Sequence, residues 1–348
     1  MSDLTLRALA ATLLVACLAG SGCSGSRESR GSTVSLSITR DFGAETIAAD
    51  DSVEIGASHS LLDALRGRYE VERSSLSSVD AIEGLRRRVV AHTPAEEVRR
   101  RAQTRHFAGE GRDRSMANWV FLVNGIETDA PPEDFRLFPG DAVQGDLRDW
   151  DGATSVRATV GAFPQPFTGG MFGDRFPTTV HCAGSAAGPC RVVEEALRAA
   201  DVAPDGSAPR ARRGLPSDRV HRAEIHVGTW RELRAMPAIR GLVKRAAFAR
   251  VHPEFTRAAD ALRVLDWEGR PIRTERAGAG MVAAVRPGET RLVWVVTGVD
   301  REGVARAARA LDAGRLRDAY AVVVTDRGVE QVPVAPRRFS SSVAGGAR

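Results

Sequence analysis

Two histidines and a glutamate are the residues of this chain that come nearest, by type and spacing, to a metal site. Glu224 and His226 stand two residues apart, so a strand would carry both side chains on one face. His181 ends another predicted short strand at residues 178–181, and two imidazoles with a carboxylate can bind zinc if the two strands are neighbours. The alternative is three residues that are each satisfied separately at strand ends, and the sequence does not determine the pairing. We therefore predict no bound metal and no cofactor.

Compact catalytic signatures are missing from the sequence. It contains no Gly-x-x-x-x-Gly-Lys phosphate loop and no His-Glu-x-x-His zinc motif, and residues 56–60 lack the last glycine of a Gly-x-Ser-x-Gly elbow. Asp146, Asp149 and Asp151 lack the glutamate and glycine of a calcium loop, and we interpret them as a solvated acidic loop. We predict no catalytic residue and expect that the protein is not an enzyme.

The N-terminal residues indicate export. Residues 1–7 carry one arginine, and residues 8–16 are apolar but far shorter than the roughly 20 residues that span a bilayer. No later segment of the sequence is long and apolar enough to cross a membrane. We expect residues 1–23 to be a signal peptide of the lipoprotein type.

Two cysteines after this apolar run are candidates for a lipid anchor. Cys17 and Cys23 each follow small residues, as in a bacterial lipobox whose cysteine becomes diacylated. Residues 24–32 are rich in glycine and serine, which is typical of a flexible tether. The alternative is a plain cleaved signal with two incidental cysteines. The predicted location is outside the cytoplasm, with the chain anchored to the outer leaflet of the cytoplasmic membrane.

The other two cysteines fit the same compartment. Cys182 and Cys190 flank a loop of small residues, and outside the cytoplasm such a pair predicts a local disulfide. A metal site is the alternative, but the Cys-x-x-Cys spacing is absent.

Composition bounds the size of the fold and the class of partner. A chain of 348 residues with 43% hydrophobic residues should form about two domains with real cores. Aromatic residues make up only 5%, so stacking platforms for nucleic acid are not expected. The net charge is +5, and Lys244 is the only lysine among the cations. We interpret the arginine clusters as solvated surface and predict no nucleic-acid partner.

The first half, residues 33–155, has the pattern of a small sheet with a helix. Residues 34–39 alternate strictly between apolar and polar, which predicts a strand with one buried face. Ser60 is placed to cap a helix, with Asp63 three residues on. Residues 119–150 predict a closing hairpin, because Asn-Gly and Pro-Gly turns interrupt its apolar strands.

The order of motifs in this hairpin resembles a known family. It consists of a Trp-containing strand from Trp119, a Val-Asn-Gly turn at residues 123–125, a Gly-Asp turn at 140–141 and a closing Asp149-Trp150. This order is similar to a bacterial family of unknown function related to the C-terminal domain of transcobalamin. The resemblance covers residues 33–155 and implies a small, mostly antiparallel, β-grasp-like sheet with one packed helix. It also implies ligand or surface binding outside the cell, but not cobalamin binding, since this chain lacks the family's separate helical partner domain.

The resemblance leads to a candidate binding surface. Alternation places Trp119, Phe121 and Val123 on one face of their strand, with residues 120 and 122 on the other. One apolar face would cover the helix, and the other would meet a ligand or the second half of the chain. We predict a ligand-binding surface that consists of Trp119, Asn124, Phe135 and Trp150. The alternative is that this second face docks on residues 175–335.

The sequence of the second half predicts an α/β domain with a mixed sheet over residues 175–335. Residues 156–174 form a connector, and the tail 336–348 is expected to be disordered. Residues 292–296, 301–316 and 320–325 predict a strand–helix–strand unit, for which parallel pairing of the two strands is the usual outcome.

Together these features predict a membrane-tethered binding lipoprotein outside the cytoplasm. Its partner would be a small molecule or a component of the cell envelope. The alternative is an extracytoplasmic enzyme, such as a hydrolase of envelope polymers, with its site in the second half.

The lipid anchor is directly testable. Protein extracted from membranes should begin at Cys17 or Cys23 and carry the mass of a diacylglycerol, because small residues precede each cysteine. Intact mass spectrometry measures this, and an unmodified chain cleaved elsewhere would contradict the prediction.

Overall fold

The computed structural model describes residues 32–55, 60–73, 79–86, 117–149, 156–205, 222–244 and 252–335. These residues form a mixed α+β fold with 19% helix and 41% strand, in which most strand pairs are antiparallel. The predicted fold class is therefore confirmed. None of the helices in this part of the chain has the length and apolar character that a membrane span needs.

The described strands form a five-stranded sheet, a six-stranded sheet and two three-stranded sheets. The helices among these residues are α1 Leu61–Arg68, α2 Ala187–Ala199, α3 Trp230–Leu233, α4 Pro237–Lys244, α5 Arg301–Arg309 and α6 Ala313–Leu316. The strands are β1 Thr33–Arg40, β2 Glu45–Glu54, β3 Val71–Glu72, β4 Ala81–Ile82, β5 Leu85–Arg86, β6 Ala117–Val123, β7 Ile126–Glu127, β8 Ala142–Asp149, β9 Thr178–Cys182, β10 Arg222–Thr229, β11 Glu254–Phe255, β12 Leu262–Leu265, β13 Pro271–Glu275, β14 Gly280–Val285, β15 Arg291–Gly298, β16 Ala321–Thr325 and β17 Gly328–Val332.

The first sheet has the order β2-β1-β8-β6-β7, and β1 and β8 are its parallel pair. Asn124 and Gly125 make the predicted turn between β6 and β7 with φ values of 55° and 74°, the left-handed conformation that a two-residue hairpin turn requires. Ser60 caps α1 by accepting a hydrogen bond of 3.1 Å from the Asp63 amide. The buried leucines of α1 join the core with Leu36, so the predicted small sheet with one packed helix is confirmed.

The six-stranded sheet has the order β17-β16-β14-β15-β10-β9. β9, β10 and β15 run parallel, whereas β14, β16 and β17 add antiparallel pairs, so the predicted mixed sheet is confirmed. β15 and β16 run in the same direction, as the predicted strand–helix–strand unit requires, but they do not pair directly. β14 lies between them because it pairs antiparallel with both, and its short connection to β15 leaves β16 only the outer edge of β14.

The predicted disulfide is present between Cys182 and Cys190. It joins the end of β9 to α2 across a Cα–Cα distance of 6.0 Å and a sequence separation of 8 residues. Closing a loop of this length stabilises the fold by roughly 2–3 kcal/mol in the chain-entropy account. The thiols are thereby withdrawn from metal binding.

Several predicted segments lie outside the described residues. These are the signal peptide at 1–23, with Cys17 and Cys23, nearly all of the tether at 24–32, and the tail 336–348. Asp146, however, is described, and the expectation of a solvated acidic loop is wrong for it. Asp146 lies within β8 and is 0% exposed.

The strict alternation of β1 creates two faces of opposite chemistry. Val34, Leu36 and Ile38 enter the apolar core, while the intervening Ser37 and Thr39 lie on the opposite face and are buried too. In the parallel pairing with β8, Ser37 stands beside Gln144, and Thr39 stands beside Asp146. We call these four residues, with Asp318 and Tyr320 of the second half opposite them, the polar seam. They are Ser37, Thr39, Gln144, Asp146, Asp318 and Tyr320.

Asp146 is the centre of the polar seam. One carboxylate oxygen accepts hydrogen bonds from the Thr39 hydroxyl at 2.8 Å and the Gly43 amide at 3.2 Å. The other accepts from the Tyr320 hydroxyl at 3.0 Å and the Phe42 amide at 3.2 Å. The two amides reach it because Phe42 and Gly43 adopt φ values of 64° and 75° in the turn that follows β1. Four donors offset the cost of removing this carboxylate from water.

Asp146→Asn should destabilise the protein by roughly 2–3 kcal/mol, since hydrogen bonds to a charged group are lost and an amide donor would face the amides of the turn. Urea unfolding with the disulfide intact measures the change. Asp134→Asn is the matched control, because the Asp134 side chain is exposed, and it should change stability by less than about 0.5 kcal/mol. Equal stabilities for the two variants would contradict the structural role of Asp146.

Candidate functional site

The predicted aromatic binding surface is part of the interior. Trp119 is 7% exposed and Phe135 is 3% exposed, and both belong to the core that contains Leu36 and Ile38. The expectation that these side chains form an exposed surface is therefore corrected. Trp119 and Phe121 share one face of β6, and that apolar face is the one that the fold buries with α1.

Asn124, the third predicted surface residue, organises a turn. Its side-chain amide donates to Asp141 Oδ1 at 2.7 Å and to the Gly170 carbonyl at 2.9 Å, and its oxygen accepts from the Ala142 amide at 2.8 Å. Asn124 is 0% exposed, so its polar groups face the protein. The fourth predicted residue, Trp150, lies outside the described residues.

The other face of β6 contacts the second half of the chain, as the alternative interpretation expected. Leu122 packs in a small apolar cluster with Phe42 and Tyr320, and the partly buried Trp267 packs against it. The Arg148 guanidinium lies 5.1 Å from the centre of the Phe42 ring and donates to the Tyr320 hydroxyl at 3.2 Å. Burial raises the pKa of Tyr320 well above its usual value, so the phenol stays protonated and can donate to Asp146.

A cleft of about 410 Å³ opens at the edge of the polar seam, and we call it the seam cleft. It lies within the range of about 300–1,000 Å³ that is typical of small-molecule sites. Its walls come from β1, β8, the connector at 161–165 and the segment 313–318. Polar side chains in these walls are Ser35, Ser37, Gln144, Gln165 and Asp318.

Asp318 supports one wall of the seam cleft. Its carboxylate accepts hydrogen bonds from Ser37 at 2.7 Å and Thr46 at 3.1 Å, and its carbonyl accepts from Gln144 at 3.1 Å. Its φ of 60° turns the backbone so that its amide also donates to the Gly161 carbonyl at 3.1 Å. Both halves of the chain thus hold the same wall.

The rim of the seam cleft carries an ion pair. Arg317 lies 2.5 Å from Asp51 of β2, and both side chains are exposed. An exposed pair of this kind contributes little to stability, so it can open at small cost. It therefore offers one cation and one anion at the mouth of the cleft.

A second pocket, of about 360 Å³, has a more apolar lining. Phe135 and Met171 line it beside Phe172, which is 49% exposed and stands 5.3 Å from the Phe135 ring. Glu127 lines it as well, and burial raises the pKa of its carboxyl. Phe135 thus keeps contact with a concave surface, although its own side chain is buried.

The structure brings His181, Glu224 and His226 together. β9 pairs in parallel with β10, and His226 stands directly beside His181 in that register. The imidazole rings are stacked with centres 4.7 Å apart, and one potential ligand atom from each of the three residues lies within 4.8 Å of the others. The interpretation as three separate strand-end residues is therefore wrong in its geometry.

Burial and the neighbouring Arg291 determine the charge states of His226 and Glu224 in this cluster. Burial and the neighbouring His181 lower the pKa of His226 to about 4, so its ring is neutral at pH 7. Burial raises the pKa of Glu224, but hydrogen bonds and charge from Arg291 outweigh it, so that the pKa is lowered overall. Arg291 binds this carboxylate through two contacts of 2.9 and 2.6 Å.

Comparisons with known proteins identify no relative. No family model matches the chain, and neither the curated proteins nor the solved structures contain a match.

Sequence reasoning missed the seam cleft, although its signal is present. The hydroxyl residues of β1 alternate with its apolar residues, and Gln144 and Asp146 repeat this period of two in β8. A polar strand face is usually solvated, and only the second half of the chain makes this one buried. The residues of the cleft on 313–318 lie more than 150 positions away from β8, and no local pattern joins them.

Trp119→Ala should destabilise the protein by about 3–5 kcal/mol, because it removes a large buried side chain. Phe172→Ala is the comparison, since Phe172 is about half exposed, and it should cost less than about 1 kcal/mol. Urea unfolding measures both. If Trp119→Ala left stability unchanged, Trp119 would be a surface residue after all.

Proposed function

We propose that this chain is a binding protein rather than an enzyme, and that it holds a small polar molecule in the seam cleft. The observation that carries the proposal is the cleft itself, with a volume of about 410 Å³ and hydrogen-bonding side chains from both halves of the chain. Wall residues that pair with each other across the halves make the shape of the cleft rigid before a ligand arrives, which lowers the entropy cost of binding.

The chemistry of the cleft favours binding over proton transfer. Asp318 already accepts hydrogen bonds from Ser37 and Thr46, so its carboxylate is committed to holding the wall. The partly exposed Ser35 and the ion pair of Asp51 with Arg317 are placed to contact a ligand. Such groups match a molecule with hydroxyl or amide groups and charges that the Asp51–Arg317 pair can complement.

The place of action in this proposal is outside the cytoplasm. The apolar N-terminal run followed by Cys17 and Cys23 supports export and lipid tethering. The disulfide between Cys182 and Cys190 is in keeping with an oxidising compartment. The resemblance of residues 33–155 to the transcobalamin-related family supports ligand binding. We now place the binding site in the seam cleft instead of the predicted aromatic surface.

Filling the cleft tests the proposal. Ala313 lines the cleft and is exposed, so Ala313→Trp should occupy the space without disturbing the core. Ala199→Trp is the matched control, because Ala199 is an exposed helix residue that does not line the cleft. The full chain is purified from the cells that make it and denatured, and the released small molecules are measured by mass spectrometry.

Wild type and Ala199→Trp should release one compound in near-equal molar amount to protein, and Ala313→Trp should release none. Adding the compound back should raise the thermal midpoint of wild type but not of Ala313→Trp, because a ligand stabilises only a folded state that binds it. Release of the same compound from all three proteins, or from none, would reject the cleft as the site.

A further inference from the structure

We infer that His181, Glu224 and His226 form a binding site for one divalent cation of the zinc class. This inference is independent of the seam cleft. It rests on strand register, on an unsatisfied nitrogen and on the set of donor atoms.

Strand register places the three side chains on one face of the six-stranded sheet. His181 is the register partner of His226, and Glu224 precedes His226 by two residues, so alternation points all three the same way. The neighbouring Cys182 belongs to the opposite face, where its disulfide joins α2. β9 is the edge strand and His181 is exposed, so an ion can reach the cluster from solvent.

One nitrogen of the cluster lacks a partner. His226 is 3% exposed, and its Nδ1 has no hydrogen-bond partner among the described residues. Its Nε2 is 3.4 Å from Glu224 Oε2, which is long for a hydrogen bond. A neutral imidazole has one donor and one acceptor nitrogen, and only the acceptor can bind an ion. Because Nδ1 has no partner among the described residues and the contact of Nε2 is long, an ion can bind this ring without displacing a strong hydrogen bond.

The donor set selects the class of ion. Two imidazole nitrogens and one carboxylate oxygen suit Zn²⁺ and its neighbours in the divalent series, whereas Mg²⁺ and Ca²⁺ prefer oxygen ligands. Arg291 donates hydrogen bonds to both oxygens of the Glu224 carboxylate, and carboxylates that bind metals are commonly hydrogen-bonded by such neighbours. A carboxylate has about four lone-pair positions, so one remains available for the ion.

Small side-chain movements complete the geometry. Zinc–nitrogen bonds of about 2.0–2.1 Å place tetrahedral ligand atoms roughly 3.3 Å apart. The three candidate atoms lie within 4.8 Å of one another. Rotation of the exposed His181 ring can supply much of the closure, while the buried His226 stays in place. Solvent then fills the remaining coordination position.

Calorimetric titration of the metal-depleted full chain with ZnCl₂, disulfide intact, tests the inference. We expect His181→Ala to lose one Zn²⁺ site that wild type has, or to bind it at least about tenfold more weakly, since even partners that do not touch the metal are worth 10–100-fold. His181 is exposed, so this variant should fold, and its circular dichroism spectrum checks that.

Thr179→Ala is the matched control, because it changes the same face of β9 two residues away and stands beside Glu224 in the register. It should bind Zn²⁺ as wild type does. Glu224→Gln keeps the shape of the side chain but removes the anionic ligand, and it should weaken binding. Absence of Zn²⁺ binding by wild type, equal affinity in His181→Ala, or equal affinity in Glu224→Gln would each overturn the site.

Discussion

The buried carboxylate of Asp146 is the constraint on which the arrangement of the two larger sheets depends. A charge with no exposure to water must be surrounded by donors, and Asp146 takes one from β1, two from the turn that follows β1 and one from Tyr320. Each donor requires a separate part of the chain to be in place. The backbone at Phe42 and Gly43 is left-handed, and this conformation costs a non-glycine residue such as Phe42 about 1–2 kcal/mol. The hydrogen bonds to Asp146 offset this cost. Docking of the second half through Tyr320 completes the set.

This constraint also explains why a cleft exists beside the polar seam. Apolar faces close by adjusting side-chain packing, whereas a polar face closes only where donors and acceptors match. The Asp146 carboxylate has four donors, and the Asp318 carboxylate has two, from Ser37 and Thr46. Ser37, Gln144 and Asp318 line the seam cleft together with Ser35 and the exposed Asp51–Arg317 pair. The hydrogen bonds of Ser37 and Gln144 to Asp318 hold the walls of the cleft in position.

Local patterns in the sequence predicted most elements but not their partners. The alternation of residues 34–39, the Ser60 cap and the Asn124–Gly125 turn each act over a few residues, and the structure confirms them. The burial of Trp119 and Phe135 depends on which apolar face α1 covers, and a strand that is apolar on both faces does not reveal this. The position of β16 beside β14, and the meeting of His181 with His226, depend on pairings between distant segments. No local signal encodes those pairings.

The two buried polar centres, Asp146 and His226, differ in how well their polar atoms are hydrogen-bonded, and this difference indicates different roles. Asp146 has a donor for each side of its carboxylate, so any ligand there would have to displace interactions that hold the sheets together. His226 is buried nearly as well, yet within the described part of the chain its Nδ1 has no hydrogen-bond partner and its other nitrogen makes only a long contact. The fold tolerates that deficit beside an exposed second histidine on an edge strand, where an ion can enter. A buried carboxylate surrounded by donors fixes the architecture, whereas a buried imidazole without a strong hydrogen bond, next to other ligand atoms, retains the capacity to bind.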